Sequence, residues 1–147
     1  MSNSVRFHRV LQAPPERIYR AFLDPAAMCK WLPPHGFTAL VQQMDAVVGG
    51  SYRMSFTNFT TGSSHSFGGT YEELVPHERI RYTAQFDDPN LPGTMTTTVE
   101  LRAVSCGTEV NIVQAGIPDV IPPEGCCLGW QESLQLLTLL VQAEIPD

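Results

Sequence analysis

Residues 68–86 read GGTYEELVPHERIRYTAQF, and the way this stretch reverses itself decides the fold. Gly68, Gly69 and Thr70 lead into Tyr71, Glu72, Glu73 and Leu74, then Pro76 interrupts, and alternation resumes at Ile80, Tyr82, Ala84 and Phe86. Proline has no amide hydrogen to give to a ladder, so it marks a corner and not the middle of a strand. Side chains of a strand point alternately to its two faces, which puts Ile80, Tyr82, Ala84 and Phe86 on one of them. The stretch therefore predicts two antiparallel strands joined by a turn at Pro76.

The pattern continues on both sides. Strands are predicted over about 37–44, 51–58, 66–75, 79–86, 94–104 and 108–115. Their linkers carry Gly49 and Gly50, Gly62 with Ser63 and Ser64, Pro76, DDPNLPG at 87–93, and Cys106 with Gly107. Consecutive strands with short linkers make an antiparallel meander. Upstream, alternation through Phe7, Arg9 and Leu11 predicts a first strand over about 4–11 whose inward face the pattern leaves open. Pro14 and Pro15 suit a helix start, Glu16 favours its positive end, and Ile18 with Phe22 forms an i, i+4 apolar pair before Asp24 and Pro25. A second short helix is predicted from Pro25 to Trp31, closed by Pro33 and Pro34. Beyond Pro122 and Pro123 the period becomes helical: Trp130, Leu134, Leu137 and Val141 form one stripe, opposed by Gln131, Gln135, Thr138 and Gln142. A helix from near Pro123 to about Val141 is the expected partner of the sheet.

Composition bounds what such a chain does. At 147 residues, 43% hydrophobic and 16% charged, residues 1–147 fit one globular domain. A net charge of −6 without a basic cluster argues against nucleic acid as a partner. The opening MSNSVRFHRV lacks the apolar core of a signal peptide, and the richest apolar run, LQLLTLLV at 134–141, is too short to span a bilayer. The expectation is a cytoplasmic protein without membrane insertion. Cys29, Cys106, Cys126 and Cys127 contain no C-x-x-C spacing, so reduced structural thiols are expected and no metal or other cofactor.

Motifs for chemistry are sparse. Gly49 and Gly50 precede a strand, not a helix, which favours a bend over a phosphate cradle. Asp87 and Asp88 lie in a polar turn, while the neighbours Glu72 and Glu73 face opposite sides of a strand. Glu73 shares parity with Phe67 and Tyr71 and would point inward if no bulge precedes Pro76, where it could orient a ligand or act as a general acid or base. His8, His35, His65 and His77 show no metal-ligand spacing, and no serine lies in a G-x-S-x-G context. Trp31 and Trp130 are packing residues first and pocket-lining residues second.

Five stretches carry a family likeness: APPERIYRAFLDPAAMCKWLPP at 13–34, VVGGSYRMSF at 47–56, GTYEELVPHERIRYTAQF at 69–86, SCGTEVNIVQAG at 105–116 and GWQESLQLLTLLV at 129–141. In these, and in the order of its elements, the chain resembles the SRPBCC (START-like, Bet v-like) superfamily, and within it the proteins similar to the activator of heat-shock protein 90 ATPase. The resemblance implies an α+β helix-grip fold, a curved antiparallel sheet wrapped around a long C-terminal helix, with an apolar cavity between the two. Taken alone, the inward rows Tyr52/Met54/Phe56, Phe67/Gly69/Tyr71, Tyr82/Ala84/Phe86 and Met95/Thr97/Val99/Leu101 favour a packed core. The resemblance turns them into a lining, and the residues expected to meet a ligand are Trp31, Tyr52, Met54, Phe56, Phe67, Tyr71, Tyr82, Phe86, Met95, Val99, Trp130 and Leu134. The leading expectation is a binding module for a small hydrophobic or amphipathic ligand, monomeric or homodimeric, with no chemistry of its own. A polyketide cyclase/dehydratase-like enzyme is the alternative, with Glu73, His8 and Tyr71 as its candidate catalytic groups. A chaperone contact with heat-shock protein 90 is the third reading; without a further domain for a second contact, stimulation of its ATPase is not expected.

Overall fold

The computed structural model describes residues 3–146. Its elements run β1 (Asn3–Leu11), α1 (Pro15–Leu23), α2 (Pro25–Trp31), β2 (Phe37–Met44), β3 (Ser51–Asn58), β4 (Ser64–Val75), β5 (Arg79–Phe86), β6 (Met95–Val104), β7 (Gly107–Ile117) and α3 (Pro123–Gln142). The seven strands form one sheet in the order β1-β7-β6-β5-β4-β3-β2, every pair antiparallel. This is the α+β helix-grip arrangement predicted from the sequence. The meander from β2 to β7 is local, and β1 closes it by pairing with β7, so α1 and α2 carry the chain from one edge of the sheet to the other. Among the described residues no helix is long and apolar enough to cross a membrane.

The turn at Pro76 is built as its residues require. Glu78 donates its amide to the Val75 carbonyl at 3.0 Å, and His77, the residue after Pro76, has a φ of +66°. Proline second and a positive φ third is the pattern of a type II turn, in which glycine normally takes the third place. The His77 ring instead stands edge-on to Tyr19, with centroids 5.6 Å apart. From the turn, β5 returns with Ile80, Tyr82 and Ala84 buried. On β1 the open question of facing is settled by burial of Val5, Phe7 and Leu11.

Two strand details differ from the sequence reading. First, β7 continues to Ile117 because Gly116, at φ +78°, absorbs a register shift opposite β1 and lets Ile117 pair with Asn3. Second, Gly69 is not a fillable position of an inward row. A Cβ built there would lie 1.9 Å from the carbonyl oxygen of Thr83, so glycine is what lets β4 approach β5.

α3 buries Trp130, Ser133, Leu134, Leu137 and Val141 against the sheet side, at the spacing the sequence shows. Each large apolar member contributes about 1.5–3 kcal/mol. Its middle and its C-terminal end are tied to the region of the short helices: the Ser133 hydroxyl donates to the Leu32 carbonyl at 2.6 Å, and the Arg17 guanidinium donates to the Val141 carbonyl at 2.9 Å. Asp24 caps α2 by accepting from the amides of Ala26 and Ala27. These ties hold the second half of α3, and its first turns line a space between helix and sheet.

Candidate functional site

That space is a cavity of about 890 Å³, within the size range of small-molecule sites. The sheet supplies Tyr52 and Phe56 from β3, Phe67 from β4, Tyr82, Ala84 and Phe86 from β5, Met95 from β6, and Gln114 and Ile117 from β7. Met28 of α2 adds to the wall, and α3 closes it with Gly125, Cys126, Gly129, Trp130 and Ser133. Ser64, His65, Asp87 and Asp88 come from the ends of the hairpins and form the mouth.

One wall is an aromatic ladder across adjacent strands. Phe37 leans on Phe56 at 6.4 Å, Phe56 meets Phe67 edge-on at 5.0 Å, and Phe67 meets Phe86 at 6.1 Å. A second aromatic group lies deeper, with Tyr52 5.6 Å from Tyr71 and 6.0 Å from Tyr82. The Tyr52 hydroxyl donates to the Thr83 carbonyl at 2.7 Å.

The polar end is organised by Gln114. Its Nε2 donates to Thr97 Oγ1 at 3.1 Å, while its Oε1 accepts from Trp130 Nε1 at 3.0 Å and from the Cys126 thiol at 3.5 Å. An indole N–H can only donate, so the amide oxygen must face Trp130. Burial, with Cys127 beside it as the lesser cause, pushes the Cys126 thiol up, so it stays a thiol and a donor. At the mouth, both carboxylate oxygens of Asp87 accept from the Arg53 guanidinium; that hydrogen bonding, against some desolvation, holds the Asp87 carboxyl below its usual range.

Of the residues expected to meet a ligand, Tyr52, Phe56, Phe67, Tyr82, Phe86, Met95 and Trp130 line this cavity. Trp31, Met54, Tyr71, Val99 and Leu134 are buried in the core and outside its lining. Trp31 is held between the short helices, where its indole donates to the Ala21 carbonyl at 2.9 Å and stands edge-on to Phe22 at 4.8 Å. The proposed acid/base groups are elsewhere. A bulge between Tyr71 and Glu73 shifts the register, pairs Glu73 with Arg81, and places its carboxylate against the Arg79 and Arg81 guanidiniums. His8 is exposed on the outer side of β1 and donates to Glu109 at 3.0 Å; this bond and those from Arg102 hold the Glu109 carboxyl low. Tyr71 packs against Tyr52 and Tyr82 behind the cavity wall.

Sequence reasoning missed Gln114, Gly125 and Gly129. Gln114 had a signal, a polar side chain following Val110 and Ile112 in an inward period-2 row. The two glycines had one too: they are four apart on one helix, and at Gly129, in its interior, glycine costs about 1 kcal/mol relative to alanine.

The tyrosines make a measurable consequence. Burial raises Tyr82 to about 12, against a smaller lowering by its hydrogen bond with Thr97. Burial also raises Tyr52, Tyr71 and Tyr19, with neighbouring tyrosines adding to the first two. The folded protein thus holds protons that the unfolded chain releases near pH 10. This stability is fully present below pH ~10 and is lost as pH rises through about 12. Phenolate absorbance at 295 nm is expected to appear together with loss of far-ultraviolet circular dichroism; an absorbance step near pH 10 with the dichroism intact would contradict the buried cluster.

Comparison with known proteins places this architecture. A family model described as Activator of Hsp90 ATPase homolog 1-like protein matches residues 12–142. The chain is similar to a solved protein from Chromobacterium violaceum at 60% identity and a TM-score of 0.96, covering 97% of this chain and 99% of that one. It is similar to a structure from Rhizobium leguminosarum at 26% identity and a TM-score of 0.79, covering 98% and 97% of the two chains. An AHSA1-like protein from Aeromonas hydrophila shares the fold, with 18% identity, a TM-score of 0.77 and coverage of 95% and 92%. None of the curated proteins matches the chain.

Proposed function

The chain belongs to the Activator of Hsp90 ATPase homolog 1-like protein family, and from that premise we propose that it is a binding module that holds one small hydrophobic or amphipathic molecule between its sheet and α3. The observation that carries this reading is the pair Gly125 and Gly129. Both line the cavity, and a Cβ built at either would meet nothing within 4 Å. Glycine is therefore not needed there for close packing, yet Gly129, inside the helix, costs stability relative to alanine, while Gly125 lies exposed in the first turn. Keeping a space open for a ligand accounts for that cost.

The lining supports the same reading. Aromatic and aliphatic side chains dominate it, and Gln114 supplies an anchored polar end, the composition expected of a site that orients an apolar molecule by a few polar contacts. A cyclase-like reaction would need an acid or base inside, and the side chains of His8 and Glu73 are engaged in ion pairs outside the cavity lining.

Titration of the folded protein with N-phenyl-1-naphthylamine, an uncharged fluorescent probe, tests the proposal. Saturation near one to one is expected. Ala84 is 5% exposed and faces the cavity, so Ala84→Phe should displace the probe while the melting temperature holds. In a filled core the same change would cost about 1–3 kcal/mol. Absence of probe binding to the unmodified protein, with Ala84→Phe strongly destabilised, would remove the proposal.

A further inference from the structure

We infer that the cavity discriminates by charge, accepting uncharged amphiphiles and rejecting anionic ones such as fatty acids of the same size. The inference rests on the cavity being a binding site and concerns what enters it. No lysine or arginine is among the described residues that line it. The nearest guanidinium tied to the lining, that of Arg53, is held by both carboxylate oxygens of Asp87. At the mouth Asp87 and Asp88 present carboxylates, and His65 is the one described lining side chain able to carry positive charge.

Inside, the polar groups are neutral and largely spent. The Gln114 oxygen accepts twice and one of its N–H groups is given to Thr97, which leaves a single amide N–H for a ligand. The Tyr52 hydroxyl hydrogen is taken by the Thr83 carbonyl, and the Ser133 hydroxyl hydrogen is shared between the carbonyls of Leu32 and Gly129. That N–H, with the neutral hydroxyls of Tyr82 and Ser66 in the lining, can meet a carbonyl or ether oxygen. None of them supplies the countercharge that the desolvation of a carboxylate or sulfonate in an apolar site demands. An anion would moreover have to pass the Asp88 carboxylate, the charge of Asp87 being matched by Arg53.

Two probes with one body separate the possibilities. N-phenyl-1-naphthylamine is uncharged, and 8-anilino-1-naphthalenesulfonate adds a sulfonate to the same ring system. Calorimetric titrations at pH 8, above the ordinary imidazole range, are run on the unmodified protein and on Gly129→Leu, whose side chain would occupy the cavity. Only binding lost in that variant counts as binding in the cavity. The uncharged probe is expected to bind there at least about tenfold more tightly. A smaller preference, or tighter binding of the sulfonate, overturns the inference while leaving the cavity a binding site. Failure of both probes to bind removes the binding reading itself, and this inference with it.

Discussion

Gly129→Leu is expected to abolish probe binding and to raise the melting temperature. Most substitutions that block a site also disturb the fold, so the opposite signs make this variant decisive. Gly129 lies within α3, and its missing Cβ faces open space inside the cavity lining. Leucine is a strong helix former, worth roughly 0.8 kcal/mol over glycine in a helix interior. For a chain of this length that gain corresponds to about 2–4 °C per kcal/mol in melting temperature. The same side chain takes space that a bound molecule needs, and affinity should fall at least about tenfold, the equivalent of 1.4 kcal/mol. A fall of many degrees would mean that the position faces packed core. Full retention of probe binding would place the probe somewhere else on the protein.

Trp31→Ala is expected to have the largest effect on stability, about 3–5 kcal/mol. Trp31 is 0% exposed, and its ring sits against Phe22 where α1 and α2 meet. Removing it leaves a cavity that helices of 9 and 7 residues, already short, cannot collapse to fill. It also leaves the Ala21 carbonyl without the indole donor. Total stability of a domain is about 5–15 kcal/mol, so the variant should be marginal at room temperature. Trp31→Phe should recover part of the loss by restoring ring volume without the hydrogen bond. Chemical denaturation of the two variants measures this; a loss under about 1 kcal/mol for alanine would contradict the packing described here.

The contrast between Trp31 and Trp130 shows how far a sequence reaches into this site. Both lie in helices and both were expected to meet a ligand. Trp130 does line the cavity, whereas Trp31 is covered by α1. Nothing within a few residues of either distinguishes them, because the covering element comes from elsewhere in the chain. Glu73 fails for a related reason. Strand parity predicts an inward carboxylate, but the register shift after Tyr71 turns it toward Arg79 and Arg81, and a bulge is settled by pairing between strands. The two glycine environments are further apart still. Gly69 has a strand backbone 1.9 Å from where its Cβ would be, while Gly129 has nothing within 4 Å, and the letter is the same.

The sequence by itself determined the elements and most of their inward faces, β1 and the Glu73 end of β4 excepted. Period-2 alternation, helical spacing from Trp130 to Val141, and the punctuation of Pro76 and Pro123 are properties of neighbouring residues, and the strands, turn and helix they predict are present. What only the tertiary structure decided is whether those inward faces touch or stand apart. Hydropathy records that a side chain leaves water, not what it meets afterwards. The separation between sheet and helix is set by the curvature of seven paired strands and by the ties of α3 to Arg17 and Leu32, all of them contacts distant in the chain. Beyond those ties the first turns of α3 meet the sheet through the side chains of Cys126 and Trp130 on Gln114, and the cavity beside them is lined by two glycines of that helix.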